Sequence, residues 1–238
     1  MRRLTALLAV TGLLVGGCQW PRDTAGTLDD VRGGVLRVGV TDNRPWTRVA
    51  GDGTVDGAEA RLVERLAQQL GSRVEWHPGA ESTLMPALHD RVLDLVVGGL
   101  DADAPWTREA SLTRPYVTTR TVVAAPADLA VPADLAGVRV AVPAGTAEVA
   151  ALAAEEAIAV PVTDVAASGG LPVVVGEWRI GELGLRRTPH ELASHDHVWA
   201  VPPGENGWQV EVEHFLLALS HDEIERLLVA AEATGTTP

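Results

Sequence analysis

From residue 35 onward the spacing of hydrophobic and polar positions changes several times, and each change predicts an element. Residues 35–40, Val-Leu-Arg-Val-Gly-Val, read as a strand that runs into a polar loop, residues 41–46. Leu62, Val63, Leu66 and Leu70 recur at three- and four-residue steps, which predicts a helix over residues 58–70 stopped by Gly71. Residues 73–77 alternate as a strand. Ser82 or Thr83 is placed to cap a helix over 84–91, and 93–100 is a continuous apolar run ending near Gly98-Gly99. Strand, helix, strand, helix, strand in close succession predicts a parallel sheet with right-handed crossovers.

A second unit follows. Residues 117–125 form a long β-type segment, and 126–132 break the pattern. A strand over 138–142, the turn Pro143-Ala144-Gly145-Thr146 and a helix over 147–157 come next, then short strands at 159–162, 172–175 and 198–201. Helices at about 209–219 and 222–232 close the chain, with Ser220 or His221 as cap of the second. Two α/β units joined by two extended stretches, 117–125 and 198–201, predict two lobes with a double crossover between them. Ligands in open α/β sheets bind beyond the carboxyl ends of the strands, so two facing edges make a cleft.

The N-terminus has a different pattern. Arg2-Arg3 precedes an apolar run over residues 4–15, too short to span a bilayer and of signal-peptide length. Val15-Gly16-Gly17-Cys18 places small residues directly before the lone cysteine, as in bacterial lipoprotein signals where that cysteine is lipidated. The expectation is a signal peptide over 1–17, lipidation at Cys18 and a flexible tether over 18–34. An ordinary secretory signal or an uncleaved anchor is the alternative.

Composition then narrows the function. The formal charge is −13, and all 19 basic residues are arginine. Removing residues 1–17 takes away two arginines and no acid, which moves the charge to −15. Such a chain lacks the basic face that nucleic-acid binding needs. A single cysteine excludes an internal disulfide framework and a cysteine-rich zinc site. His195-Asp196-His197, with His190 nearby, could present two imidazoles on one strand face, but further metal ligands are missing. No nucleophile elbow or phosphate loop is present. No metal, cofactor or catalytic residue is therefore expected.

From Leu36 to about Glu232 the chain resembles the bacterial extracellular solute-binding proteins of family 3, the polar amino-acid-binding type that serves ABC importers. Leu36-Arg37-Val38-Gly39-Val40 with Pro45-Trp46 is similar to the family's first strand and its pocket-edge Pro-Phe. Residues 57–71, Leu84-Met85-Pro86-Ala87-Leu88 and Leu93-Asp94-Leu95-Val96-Val97-Gly98-Gly99-Leu100 resemble its two helices and third strand. Thr113-Arg114-Pro115-Tyr116 is similar to the motif before the crossover. Asp134-Leu135-Ala136-Gly137 with residues 138–148 resembles the strand and Gly-Thr turn of the second lobe. The resemblance implies a two-lobed periplasmic-binding (type II) α/β fold with a double-crossover hinge. Lobe 1 would comprise 35–119 and 202–234, and lobe 2 would comprise 120–201.

It also implies a pocket. Trp46 and Tyr116 would line it, Gly145 and Thr146 would offer a helix start to a polar ligand head, and Glu177 stands where the family has an acid for a ligand ammonium. Each has a plainer reading: a ring packed on its lobe, a hinge anchor, a helix cap, a helix-start carboxylate. Trp76 reads as core. The loop after Leu100 departs from the family. Asp101 and Asp103 stand near hydroxyl positions and Trp106 near that of the carboxylate-binding arginine, which Arg108 could replace. The family's phenylalanine after Gly57 is Ala58, and its later acid is Arg61. An acidic, aromatic pocket is suited to a cationic solute, unless Asp101 and Asp103 simply face solvent. Only 163–170 stand where the second lobe would carry a full helix, so that lobe is expected to be reduced.

The function expected is that of a monomeric lipoprotein, exported and held on the outer face of the membrane or in the periplasm, which delivers a small solute to an ABC permease. A non-transporting sensor or interaction module is the alternative, and a cyclohexadienyl-dehydratase-like enzyme a further one.

Overall fold

The computed structural model describes residues 23–106 and 108–235. Cys18, the expected signal segment and the start of the expected tether lie outside them. After a short helix α1 (Thr27–Val31) come β1 (Val35–Val40), the small hairpin β2 (Arg48–Val49) and β3 (Val55–Asp56), α2 (Ala58–Leu70), β4 (Arg73–Pro78), α3 (Glu81–His89) and β5 (Leu95–Asp101). β1 lies between β4 and β5, parallel to both. This is the strand–helix–strand unit that the hydrophobic periods predict. α2 covers the sheet with Leu62, Val63 and Leu66, all buried, and ends at Gly71 in the left-handed conformation.

The second unit comprises β8 (Arg139–Pro143), α4 (Glu148–Ala154), β9 (Ile158–Val162) and β10 (Val173–Gly176), with 3₁₀ turns at Val165–Ala167 and Glu177–Arg179. One 3₁₀ turn is all that stands between β9 and β10. Apolar side chains from both sides still close this unit: Val140, Val142 and Leu152 on one face, Ala141, Val165, Val173 and Val175 on the other.

Between the units run β7 (Val117–Ala125) and β11 (Arg186–Val201), antiparallel, from Val117 opposite His197 to Ala125 opposite Arg186. They merge both halves into one sheet of order β4-β1-β5-β11-β7-β10-β8-β9, with β6 (Ser111–Leu112) on β11. The second crossover is thus much longer than the expected 198–201. Its first two-thirds are half-exposed and polar, Arg186 to Asp196, and pair through the backbone, so no apolar run announces them. Beyond β11, α5 (Asn206–Leu217) and α6 (His221–Gly235) bury Trp208, Val212, Leu216, Ile224 and Leu228 in the same core as β1 and α2.

Two local expectations are corrected. Ser82 and Thr83 lie inside α3, which starts after Ala80 without a side-chain cap. Residues 23–34 are not a free tether. Asp23 accepts hydrogen bonds from the Leu28 and Trp208 amides at 3.0 and 2.9 Å, and so ties together the starts of α1 and α5. Glu205, its side chain fully buried, accepts from the Ala25 and Thr27 amides and from Arg91. Burial works to raise the Glu205 pKa, but these donors outweigh it and hold the carboxyl below its ordinary range.

Candidate functional site

The carboxyl ends of β1 and β5 meet the hinge at a buried carboxylate. Glu59, in the first turn of α2, accepts from the Gly98 and Gly99 amides at 2.7 and 2.8 Å through Oε2. Through Oε1 it accepts from the Tyr116 hydroxyl at 2.6 Å and Trp199 Nε1 at 3.1 Å. Burial raises its pKa, while the four donors pull the other way. One side chain thereby pins the β5 turn, the entrance to the hinge and β11 to α2. Gly98 and Gly99 have φ of 149° and 68°, and a side chain at Gly99 would meet the Trp46 ring at 2.3 Å.

Trp46 is 5% exposed. Its indole covers Gly99 and stacks at a tilt on His197, with ring centroids 4.0 Å apart. His197 bonds through Nε2 to the Thr119 hydroxyl at 2.7 Å, and its Nδ1 is buried without a partner. Burial pushes the His197 pKa down to about 4, so the ring is neutral at pH 7. Tyr116 is an anchor on Glu59, and burial raises its pKa further above the phenolic range. Its edge also borders a shallow hollow with Arg120 and His221.

Two of the acids singled out in sequence, Asp101 and Glu177, have partners within the chain, while Asp103 is exposed. Asp101 Oδ2 lies 2.5 Å from His195 Nδ1, and its other oxygen accepts from the Asp103 amide. Burial acts to raise the Asp101 pKa, but that amide and His195 prevail and hold it low. Glu177 forms a ring of ion pairs with Arg187 (2.9 Å) and Arg120 (3.6 Å), both of which also pair with Glu191. Trp106 donates its indole N–H to Glu81 at 2.6 Å and packs on the cluster around Leu84, Met85 and Leu88. Arg108 is exposed.

A cleft of about 580 Å³ lies between the two units. Arg44 and Pro45, from the loop after β1, and Glu232 of α6 form one wall. The other consists of Pro143, Thr146 and Glu148 after β8, Thr163 and Asp164 after β9, and Trp178 and Arg179 after β10, with Thr121 of the hinge between. Gly145 adopts φ 80° to turn the chain there, and Thr146 bonds back to the Pro143 carbonyl at 3.0 Å instead of capping α4. The volume falls within the range of about 300–1,000 Å³ usual for small-molecule sites.

Of the residues named from sequence, Thr146 lines this cleft directly; Glu177 borders a narrow hollow behind it, under α6, which it shares with Trp178, His221 and Glu225. Asp101, Asp103, Trp106 and Arg108 are not on its walls. Sequence reasoning missed Arg44, Trp178 and Arg179. Their signal was adjacency, since Arg44 precedes Pro45-Trp46 and Trp178-Arg179 follow Glu177. Among the described residues no group of three or more metal-ligating side chains is assembled, and no helix is long and apolar enough to cross a membrane.

Strand ends from two α/β units facing each other across a two-stranded hinge match a known protein family. Its sequence profile, "Bacterial extracellular solute-binding proteins, family 3", fits residues 36–229. The chain belongs to this family. Among solved structures of the same fold, the L-cystine solute receptor of Neisseria gonorrhoeae, unliganded and open, has a TM-score of 0.64 at 18% identity over 85% of this chain and 96% of that one. An ancestral cationic amino acid solute-binding protein has a TM-score of 0.66 at 22% identity, over 87% and 98%. Two sequence relatives match shorter stretches. The membrane-bound lytic murein transglycosylase F of Photobacterium profundum is 36% identical over 95 residues, 39% of this chain and 18% of the relative. A probable histidine-binding protein of Campylobacter jejuni is 26% identical over 115 residues, 48% of this chain and 45% of the relative. The matched region thus spans less than half of either relative. The fold is the type II periplasmic-binding α/β fold, and the family is one of extracellular solute-binding proteins.

Proposed function

We propose that this chain is the lipid-anchored, extracytoplasmic solute-binding component of an ABC importer, working as a monomer that captures a small polar solute and presents it to a permease. The observation that carries the reading is the cleft, whose walls come from different lobes joined by β7 and β11. A ligand touching both walls stabilises the closed arrangement by its differential affinity, and closure is the signal a permease can read. The lipoprotein motif at Cys18 supports the anchor.

A cationic group on the solute fits Glu148 and Asp164 on the second wall. Glu177, bordering the hollow behind the cleft, carries its own counter-ions in Arg187 and Arg120, so a ligand cation would have to displace an arginine to reach it. Asp101, bonded to His195, lies off the cleft walls. That same self-neutralisation favours a second reading, a sensor or interaction lipoprotein whose cleft answers to a different trigger.

Thermal unfolding of the purified protein against a panel of amino acids, amines and sugars separates the two. Saturable stabilisation by one solute class is expected. A panel without any stabilising solute overturns the capture reading.

A further inference from the structure

Residues 23–25 are bonded into one pole of the first lobe. Asp23 pairs with Glu205 as an isolated antiparallel bridge, and the Thr24 hydroxyl donates to the Gly204 carbonyl at 2.8 Å. Arg91 reaches the same loop, donating to the Pro203 carbonyl at 3.0 Å and to Glu205 at 3.3 Å. The residue after it, Val92, is 56% exposed, an unusual position for a large apolar side chain.

This pole is the end of the first lobe away from the cleft. In the antiparallel pair of β5 and β11, His197 stands opposite Asp101 at the cleft side, whereas Ala200 stands opposite Val96 near the other edge. β5 has seven residues, so about 20 Å of strand separates the two edges. Cys18 stands five residues before Asp23, and five residues reach at most about 18 Å when fully extended. Turning the lobe over, with its cleft-side strand ends on the surface that holds Cys18, would lift Asp23 by more than about 20 Å. That exceeds the reach of the joining residues.

We infer that this pole of the first lobe, with Thr24, Arg91, Val92 and Gly204 on it, is the face apposed to the phospholipid bilayer that holds the Cys18 acyl chains. The inference rests on the lipid-anchor reading above and adds which surface the membrane meets. Covalent reach imposes the apposition, not charge. Arg91 is already paired with Glu205, and Asp90 beside it and Asp29 and Asp30 on α1 are exposed. The pole therefore lacks the cluster of basic residues that draws a protein to anionic headgroups. Val92 offers the surface an apolar contact, and Trp20 among the joining residues 19–22 is of a type enriched at membrane–water interfaces. With the first lobe kept at the surface, the half that swings on β7 and β11 during closure is the second lobe.

The test uses the mature lipoprotein in phosphatidylcholine vesicles that carry a headgroup-labelled acceptor lipid. Cys18 is the one cysteine of the chain, so once it is acylated a thiol introduced elsewhere takes a donor dye alone. Val92→Cys places the dye on the pole, and Ile158→Cys places it on β9, the far edge of the sheet in the second lobe. Both positions are more than half exposed, so folding is not at stake. Energy transfer to the lipid should be at least about twofold higher from position 92 than from 158, because the pole lies within about 18 Å of the anchor. Inserting a 20-residue Gly-Ser linker between Arg22 and Asp23, with an end-to-end distance of about 25 Å, should bring the signal at 92 down toward that at 158. Equal transfer from the two positions, or a signal at 92 that the linker leaves unchanged, overturns the apposition and leaves the anchor standing. A wild-type chain that takes the dye at Cys18 and stays off the vesicles overturns both.

Discussion

At the scale of single residues, chemistry follows from which groups are buried and what meets them. His197 is 6% exposed and has a pKa near 4 against an ordinary 6.5. Since its folded pKa is depressed, the unfolded chain binds the proton more readily between these values, and stability falls as pH drops from about 6.5 toward 4. By pH 5 the loss from this one group is about 2 kcal/mol. Urea unfolding at pH 7 and pH 5 should show the decline, and His197→Asn should remove that share of it; an unchanged slope would show that the ring is solvated. Glu59 makes a second case. Glu59→Ala leaves four buried donors without an acceptor and should cost about 3–5 kcal/mol, the range for breaking a buried charged network. Glu59→Gln retains the volume but turns an amide N–H toward donors, so it should rescue only part of that loss.

Elements show why some parts of the fold are legible before any coordinates. Helix α2 begins and ends where its apolar period and Gly71 place it, because its stability derives from one buried stripe. Helix α3 does not start at Ser82 or Thr83, since the preceding strand and loop already deliver the chain at Ala80. Most of β11 escapes the sequence because a strand held by backbone pairing to β7 needs no hydrophobic alternation. The segment 23–34 reads as a linker by composition, yet hydrogen bonds between Asp23 and Trp208 and between Ala25 and Glu205 pin it to residues 185 and 180 positions away. Asp23→Ala should therefore lower stability by about 1–3 kcal/mol, as loss of a carboxylate serving two helix starts implies. Amide exchange over α1 should speed up with it, and a wild-type exchange pattern would restore the tether. The ring of Arg120, Glu177, Arg187 and Glu191 is half-exposed, so Glu177→Gln should shift the unfolding midpoint little, within the 0–1 kcal/mol typical of surface ion pairs.

For the whole molecule the governing feature is the continuous sheet. β7 and β11 form a two-stranded isthmus, so rotation of one lobe against the other bends two strands and leaves both cores intact. Small-angle scattering should record a smaller radius of gyration when a binding solute saturates the cleft. No change at saturation would remove closure from the mechanism. The proposed anchor is tested separately: metabolic labelling with a fatty acid should mark the wild type, and Cys18→Ala should abolish the label and release the protein from membranes.

The sequence by itself determined the alternation of strands and helices within the two α/β units, the modest second unit and the family, because these depend on local period and on motifs that keep their spacing along the chain. It also placed Trp46 and Tyr116 near the strand ends, though it left open whether they face a ligand or the core. Only the tertiary structure decided that both are held inward, by His197 and Glu59. It also matched the conspicuous acids Asp101 and Glu177 with His195 and Arg187. A charge in a sequence has no partner until the chain folds, and the partners here lie 94 and 10 positions away. The cleft emerged the same way, from Arg44 on one lobe and Trp178 and Arg179 on the other. That these positions face one another is a property of packing, which no pattern of residues along the chain records.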